Sequence, residues 1–579
     1  MMEILLHAAW LFALLFPLLL AVGIVPGASR PVALFLAPFA PLPALGIAVF
    51  DPARVEFSGL LLGMEFGLTE TTRVFLVFTA LVWLVAAVYA RSYTKDDENR
   101  RRFFAFFLVT MAGNLGLIMI RDIAGFYLFF TLMSFAAYGL ITYDATARAR
   151  RAARVYLIMV VLGEAFLLPA VILSASVATN LDDLAPALAD SPLRNAVVIL
   201  ALVGFGVKAG ALPVHLWLPL AHPAAPTPAS AVLSGTMIKA GLLGWVLFIP
   251  AGEVEMPTFG TVCLVLGIVA AFYGVFAGVS QSEPKTILAY SSISQMGLMT
   301  IALGAGMVAP EAWPAALLAI TVYATHHALA KGALFLGVGV ADHAEGADSR
   351  TRFVVLCGLV LAALVLAGVP LTSGALAKEF LKEAGYESAM PWDTLLTPII
   401  EVGAVGTTLL MLRFLQKAWP ESGDEARRMP GLFIPWSILL VGMFVVIAAF
   451  PEPPGGMLGA ILSFSALWPA LLGAAIFAAA MWAGRKTDRT LYPKIPEGDL
   501  LVPITAFLSR SREGIGGAFA TGRDRYGKFA ARREKNFRGV SERLDDASVL
   551  TELWLRRWTV AGGFVFTLVV AMFALAALR

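Results

Sequence analysis

Charge is scarce in this sequence: Asp, Glu, Lys and Arg make up 14% of it, against about a quarter in an ordinary soluble domain. Together with 59% hydrophobic residues and a mean hydropathy of +0.80, that scarcity excludes a soluble globular chain. Cysteine is nearly missing. The two that occur, Cys263 and Cys357, stand inside apolar segments without a CxxC or a Cys/His cluster beside them. That pattern argues against zinc or an iron–sulfur cluster and predicts two small core residues. A net charge of +3 and the lack of a basic stripe interleaved with aromatics remove nucleic acid as a partner. No dinucleotide, flavin or cluster motif occurs, so no metal or cofactor is expected, and any electron chemistry must belong to partner subunits. The apolar stretch from Met1 to Val25 lacks a basic leader and a small-residue cleavage site, and reads as a retained first span.

What fills the sequence instead is apolar helix-length runs separated by short polar connections, the pattern of an all-α polytopic membrane protein. Spans are expected near 3–24, 31–50, 70–91, 103–120, 123–143, 154–178, 196–219, 225–249, 257–279, 286–306, 313–341, 353–381, 395–416, 432–450, 458–484 and 556–578, about sixteen in all. With the N-terminus outside, the loops after odd-numbered spans hold Arg100–Arg102, Arg148, Arg150, Arg151 and Arg154, whereas the opposite loops hold Asp51, Asp182, Asp183, Glu253 and Glu255. This asymmetry puts the basic loops in the cytoplasm of a bacterial-type inner membrane and both termini outside. Residues 485–555 differ from the rest, being charged with apolar residues at roughly helical spacing. They read as a cytoplasmic amphipathic lateral segment before the last span, or as a solvated linker, since Gly514, Gly516, Gly517 and Gly522 interrupt the pattern. The chain thus divides into N-terminal spans (1–100), a core (101–420), C-terminal spans (421–484), the lateral segment (485–555) and a terminal span (556–579).

Ionisable residues inside such spans cost at least about 2.5–3.5 kcal/mol each, so each one is a functional candidate. Lys208, Lys239 and Lys331 all lie within apolar helix-length segments. Lys331 follows His327 by one helical turn, which puts the two on one face and in position to share a proton directly or through water, while His326 and His327 taken singly also suit a structural role. Glu164 reads as the only carboxylate well inside its span. Lys378 and Glu379 follow the breaker-rich run Gly368-Val-Pro-Leu-Thr-Ser-Gly374, which predicts an interrupted helix. A second interruption is expected at Ala211-Leu-Pro-Val-His-Leu-Trp-Leu-Pro219, followed by His222. Each half of the chain therefore has one broken helix beside a buried lysine, which suggests two inverted repeats of about five spans.

Four stretches carry a resemblance. Leu212-Pro-Val-His-Leu-Trp-Leu-Pro-Leu-Ala-His222, running on through Ser230 and joined by Ile238-Lys-Ala-Gly241, resembles the signature of the antiporter-like subunits shared by complex I, Mrp antiporters and membrane-bound hydrogenases. Gln281 to Gln295, His327 to Phe335, and Leu366 to Gly374 with Lys378 agree with it in the same order, so the resemblance covers roughly residues 100–420. It implies a proton-translocating role in which Lys208 is the central lysine of a first half-channel. Lys239, His327 and Lys331 are then the connecting relay, and Lys378 the terminal lysine of a second half-channel. The family's usual glutamate on the fifth span, in a Phe-Tyr-x-x-Trp-Glu context, is here Thr131 in Phe126-Tyr-Leu-Phe-Phe-Thr131, and Leu220 stands where the family commonly has Asp. Glu164, one span later, is the candidate replacement as charge partner of Lys208.

Four functions remain open on the sequence. The first is a proton-translocating subunit of a complex I-like or hydrogenase-like redox assembly, such as an NADH-quinone oxidoreductase. The second is a Na⁺/H⁺ antiporter subunit of Mrp type. The third is an energy-coupling partner for uptake of a solute such as inorganic carbon. The fourth is a scaffold that has lost conduction. All four place the chain in the bilayer beside other membrane subunits.

Overall fold

The computed structural model describes residues 2–59, 63–344, 347–388, 393–419, 430–453, 456–487 and 495–496, so almost all of the expected lateral segment and the whole terminal span lie outside the described residues. Thirteen described helices are long and apolar enough to cross a membrane. The first part runs α1 (Met2–Gly23), α2 (Arg30–Leu36), α3 (Leu42–Phe50), strands β1 (Val55–Phe57) and β2 (Met64–Phe66), then α4 (Glu70–Tyr93), α5 (Arg100–Met119), α6 (Ile123–Ile141), α7 (Ala147–Ala175), α8 (Leu181–Ala189) and α9 (Arg194–Ala209). It continues with α10 (Leu218–Ala224), α11 (Thr227–Val232), a π-helical turn (Leu233–Met237), α12 (Ile238–Phe248), α13 (Pro257–Val279), α14 (Pro284–Val308) and α15 (Trp313–Ala344). The last part is α16 (Ser349–Ala367), α17 (Ser373–Glu387), α18 (Asp393–Lys417), α19 (Pro430–Ala449), α20 (Met457–Ile461) and α21 (Phe464–Thr487).

Several helix starts are capped by side chains. Asp122 accepts from Gly125 N at 2.6 Å to open α6, and Thr146 accepts from Ala149 N at 3.1 Å to open α7. Thr69 and Thr72 cap α4 reciprocally. The hairpin β1–β2 departs from the all-helical expectation, pairing Val55 with Phe66 and Phe57 with Met64. Its cause is visible in the residues: Val55-Glu-Phe57 and Met64-Glu-Phe66 alternate apolar and polar with the two-residue period of a strand.

Both expected helix interruptions occur. The first separates α9 from α10, where Gly210 takes a left-handed φ of +72° and Trp217 Nε1 donates to the freed Val207 carbonyl at 2.7 Å. The second separates α16 from α17, with Gly368 at φ +76° ending α16 and Thr372 capping α17. Between them lie the most enclosed elements. In α14 every residue of the apolar window is buried, and α13 packs along it on a seam of small residues. A Cβ at Gly267 would stand 2.6 Å from the Gly297 carbonyl, so glycine there is what lets the two backbones touch. Helix α15 packs against α14, α16, α17, α19 and α4 and so forms the axis of the bundle. Of the two cysteines, Cys263 is buried in the α13 seam as expected, whereas Cys357 is exposed on α16, on the side turned away from the bundle.

Candidate functional site

Lys208, Lys239, His326, His327, Lys331 and Lys378 are all buried, each no more than 6% exposed. Each sits on a helix of the central bundle, and hydrogen bonds organise them into three groups.

The first group surrounds Lys208, at the C-terminal end of α9, where the carbonyl end of the helix dipole favours a cation. Its Nζ donates to Tyr156 Oη at 3.2 Å and lies 5.5 Å and 5.9 Å from the ring centres of Tyr156 and Trp217. Among the described residues, Glu164 does not form a direct ion pair with Lys208. Its Oε2 accepts from Thr131 Oγ1 at 3.1 Å, and carboxylate, lysine and Tyr156 line one cavity of about 260 Å³. The threonine at the family's glutamate position therefore touches the carboxylate expected to replace it.

The second group joins α12, α14 and α15. Lys239 Nζ lies 2.6 Å from His327 Nδ1 and donates at 2.6 Å to the Ser234 carbonyl in the π-helical turn. The Ser234 and Ser292 hydroxyls meet at 2.8 Å, Ser292 donates to the Leu288 carbonyl at 3.0 Å, and Lys331 donates to the same carbonyl at 2.8 Å. His327 thus turns to Lys239 on a neighbouring helix, whereas Lys331, its expected partner one turn away, donates to the Leu288 carbonyl that Ser292 also meets. The α9 and α12 backbones meet beside the two lysines: a Cβ at Gly241 would lie 2.6 Å from Ala209 N. His222 stacks on Phe335 with ring centres 4.6 Å apart. Neither of its ring nitrogens, nor His327 Nε2, has a hydrogen-bond partner among the described residues.

The third group lies at the second interruption. His326 Nδ1 meets Ser373 Oγ at 2.9 Å, at the start of α17. Lys378, farther along α17, donates to the carbonyl of Ala367, the last residue of α16, and so satisfies an oxygen that the break sets free. Gly368 is required here twice over: a side chain would enter the left-handed region, and its Cβ would fall 2.6 Å from Lys378 Nζ. A cleft of about 290 Å³ opens beside Lys378 and is lined by Glu379, Lys382, Glu401 and Ser465. Lys382 Nζ bridges Glu401 at 3.2 Å, Ser465 at 2.9 Å and Glu379 at 3.5 Å.

Two of these residues correct the sequence reading. Glu401 lies well inside α18, with a side chain 16% exposed, so Glu164 is not the only carboxylate deep in a span. Lys382 joins the site without having been a candidate, although its place four residues after Lys378, on the same helical face, is the signal that could have found it. Tyr156, Ser234 and Ser292 carry no sequence signal, since neutral hydroxyls are ordinary in apolar helices.

Residues 121–403 match the family described as NADH:quinone oxidoreductase/Mrp antiporter, TM. The chain is 31% identical over 374 residues to a protein of Rhizobium meliloti (strain 1021) described as a probable K⁺/H⁺ antiporter A/B subunit, covering 61% of this chain and 37% of that protein. It is 31% identical over 422 residues to the A1 subunit of a Na⁺/H⁺ antiporter of Staphylococcus saprophyticus (66% of this chain, 51% of that protein). To hydrogenase-4 component B of Escherichia coli (strain K12) it is 31% identical over 305 residues (51% and 45%). The chain thus spans about half the length, or less, of these curated relatives. Its fold superimposes on a chain of the Mrp complex from Dietzia sp. DQ12-45-1b with a TM-score of 0.70 at 22% identity, over 95% of this chain and 63% of that one. It also superimposes on a chain of the membrane-bound sulfane sulfur reductase, an archaeal respiratory membrane complex, with a TM-score of 0.63 at 21% identity, over 81% and 99%. Residues 121–403, where the chain is similar to the NADH:quinone oxidoreductase/Mrp antiporter family of membrane proteins, hold all three groups of buried lysines and histidines.

Proposed function

We propose that the chain is a proton-translocating membrane subunit of a larger Mrp-like or complex I-like assembly, with residues 101–420 as its translocation core. The observation that carries this reading is the set of buried lysines in one bundle, Lys208 and Lys378 at two helix interruptions, Lys239 hydrogen-bonded to His327, and Lys331 bonded to the Leu288 carbonyl. Cations buried in apolar helices at this cost are functional candidates by default. Lys239 and Lys331 are held by an imidazole and by backbone carbonyls, neutral groups that allow the amine to lose and regain its proton. Lys208 and Glu164 serve as the first half-channel and Lys378 with Glu379 as the second, related as inverted repeats. His222 and His326 flank the relay. The basic loops face the cytoplasm and the N-terminus lies outside. Partners are other membrane subunits, as the relatives named as antiporter subunits and a hydrogenase component suggest.

A second reading, proton exchange for Na⁺ or K⁺, is favoured by the relatives named as Na⁺/H⁺ and K⁺/H⁺ antiporter subunits. Energy coupling to uptake of another solute uses the same proton path. The test is Lys331→Ala in the purified assembly, reconstituted in proteoliposomes with a pH-sensitive dye. Proton movement should be lost with the assembly intact, and normal movement would refute the relay. Repeating the assay with Na⁺, K⁺ or neither on the far side separates the two readings.

A further inference from the structure

The third group holds more charge than the moving of one proton needs. Lys378 and Lys382 are one helical turn apart on α17, a like-charge spacing that is unfavourable in itself. The pair is tolerated because Lys382 is drawn into a cage contributed by α17, α18 and the start of α21: Glu379, Glu401 Oε1 and Ser465. Glu401 is in turn fixed from its other side, where Oε2 accepts from Trp468 Nε1 at 3.1 Å. All of these polar groups except Trp468 line the cleft beside Lys378. Among the described residues lining its cavity, the first group has no counterpart to this second cation.

We propose that Lys382 and Glu401 form an electrostatic gate for Lys378: a positioning pair at the mouth of the second half-channel that sets how tightly the inner lysine holds its proton. The inference rests on the proton-translocation reading. The charged and titratable groups facing Lys378 are Glu379 and Lys382 from α17, Glu401 from α18 and His326 from α15. While Lys382 is clasped by Glu401, its charge is largely cancelled and Lys378 keeps its proton. When the clasp between α17 and α18 loosens, the bare Lys382 cation one turn away expels the proton into the cleft. Lys382 itself stays protonated throughout. The gate moves charge past Lys378 and passes no proton of its own.

The two partners oppose one another, so their removal must shift the pH profile of transport in opposite directions. In the complete assembly reconstituted in proteoliposomes, Lys382→Gln leaves Glu379 and Glu401 uncompensated, and the midpoint of the profile should rise by roughly one pH unit. Glu401→Gln leaves Lys382 with only the longer Glu379 contact, and the midpoint should fall, by less than the Lys382→Gln rise. Lys382→Arg keeps the charge and the carboxylate clasp and should transport at a rate within about twofold of wild type. A pair that only braces the helices would lower assembly yield in both variants without opposite shifts. Midpoints that shift in the same direction, or stay unmoved, overturn the gate, and so does an inactive Lys382→Arg, which would make Lys382 a carrier. Where a charge-removing variant fails to assemble, Ser465→Asp adds a carboxylate beside Lys382 and should raise the midpoint; an unmoved midpoint there also overturns the gate. Lys378→Met separates the two ideas. If it transports normally, the proton-translocation reading falls; if it is dead while the other variants keep the wild-type profile, only the gate falls.

Discussion

The two helix interruptions solve one problem with different chemistry. Lys208 precedes its break and lies at the carbonyl end of α9, against a tyrosine hydroxyl and two aromatic rings, with a single carboxylate across the cavity. Lys378 follows its break, near the amide end of α17, where the helix dipole opposes a cation. It folds back to the carbonyl of Ala367 at the end of α16. The two amines thus stand on opposite sides of their breaks, Lys208 at the end of its own helix and Lys378 reaching back to the end of the preceding one. The surroundings differ: the first cavity relies on rings and hydroxyls, the second on an added lysine and two carboxylates. An interrupted helix supplies the backbone dipoles, and the side chains around it set the electrostatic surroundings of the lysine.

The comparison breaks most sharply with the two lysines. On the proposed function, Lys208→Met and Lys378→Met should each lower proton movement by roughly a hundredfold or more, because each removes a proposed proton carrier. Assembly, followed by co-purification, should survive both, since methionine fills the volume without a buried charge. A variant with substantial residual transport would show that its half of the path is bypassed.

A smaller effect sharpens the geometric side. Gly368→Val forces a β-branched residue into the left-handed region and drives it against Lys378 Nζ, at a cost of roughly 1–3 kcal/mol. It should lower the unfolding temperature of the detergent-solubilised protein by several degrees and lower transport as well. Gly403, beside which a Cβ meets nothing within 4 Å, provides the control: Gly403→Ala on α18 should be neutral or slightly stabilising.

Much of this architecture could be read from the residues. The interruptions were legible because Gly-Val-Pro and Leu-Pro-Val strings cannot continue a helix, and the buried lysines because charge is rare in an apolar span. Pairing was not legible. His327 and Lys331 share a face by spacing, yet the imidazole turns to Lys239, 88 positions away in sequence, because α12 and α15 are brought together by packing that no local pattern records. Lys239 and Lys331 each donate to a backbone carbonyl, of Ser234 and of Leu288, and the Ser234–Ser292 pair joins those two turns; neither ordinary serines nor backbone oxygens announce themselves. Glu401 is hard to see because hydropathy averaged over a window hides one carboxylate among leucines and valines. The β1–β2 hairpin is hard to see for the opposite reason, since three-residue strands are too short for alternation to stand out.

The smallest effect expected lies at Thr131, where the family's glutamate is absent. If Thr131 were a vestige, its replacement by Val would change nothing. The structure instead gives it a role: its hydroxyl donates to Glu164 Oε2 and so helps hold that carboxylate on the wall of the cavity it shares with Lys208. A hydrogen bond to a charged acceptor is worth about 1.5–3 kcal/mol, and part of that is recovered on its loss because Glu164 is only half-buried. Thr131→Val should therefore slow transport a few-fold, whereas Glu164→Gln, which removes the charge itself, should slow it roughly tenfold or more, since an opposite charge alters the proton affinity of a lysine by about 1–3 units. The decisive variant is the double one, Thr131→Glu with Glu164→Gln, which returns the carboxylate to the family's position. If the two sites are alternative seats for one charge facing Lys208, the double variant should recover much of the transport that Glu164→Gln loses, as read by the pH-sensitive dye in proteoliposomes. A double variant no better than Glu164→Gln alone would mean that Glu164 acts from its own place on α7, and that the first half-channel is built differently from those of its relatives.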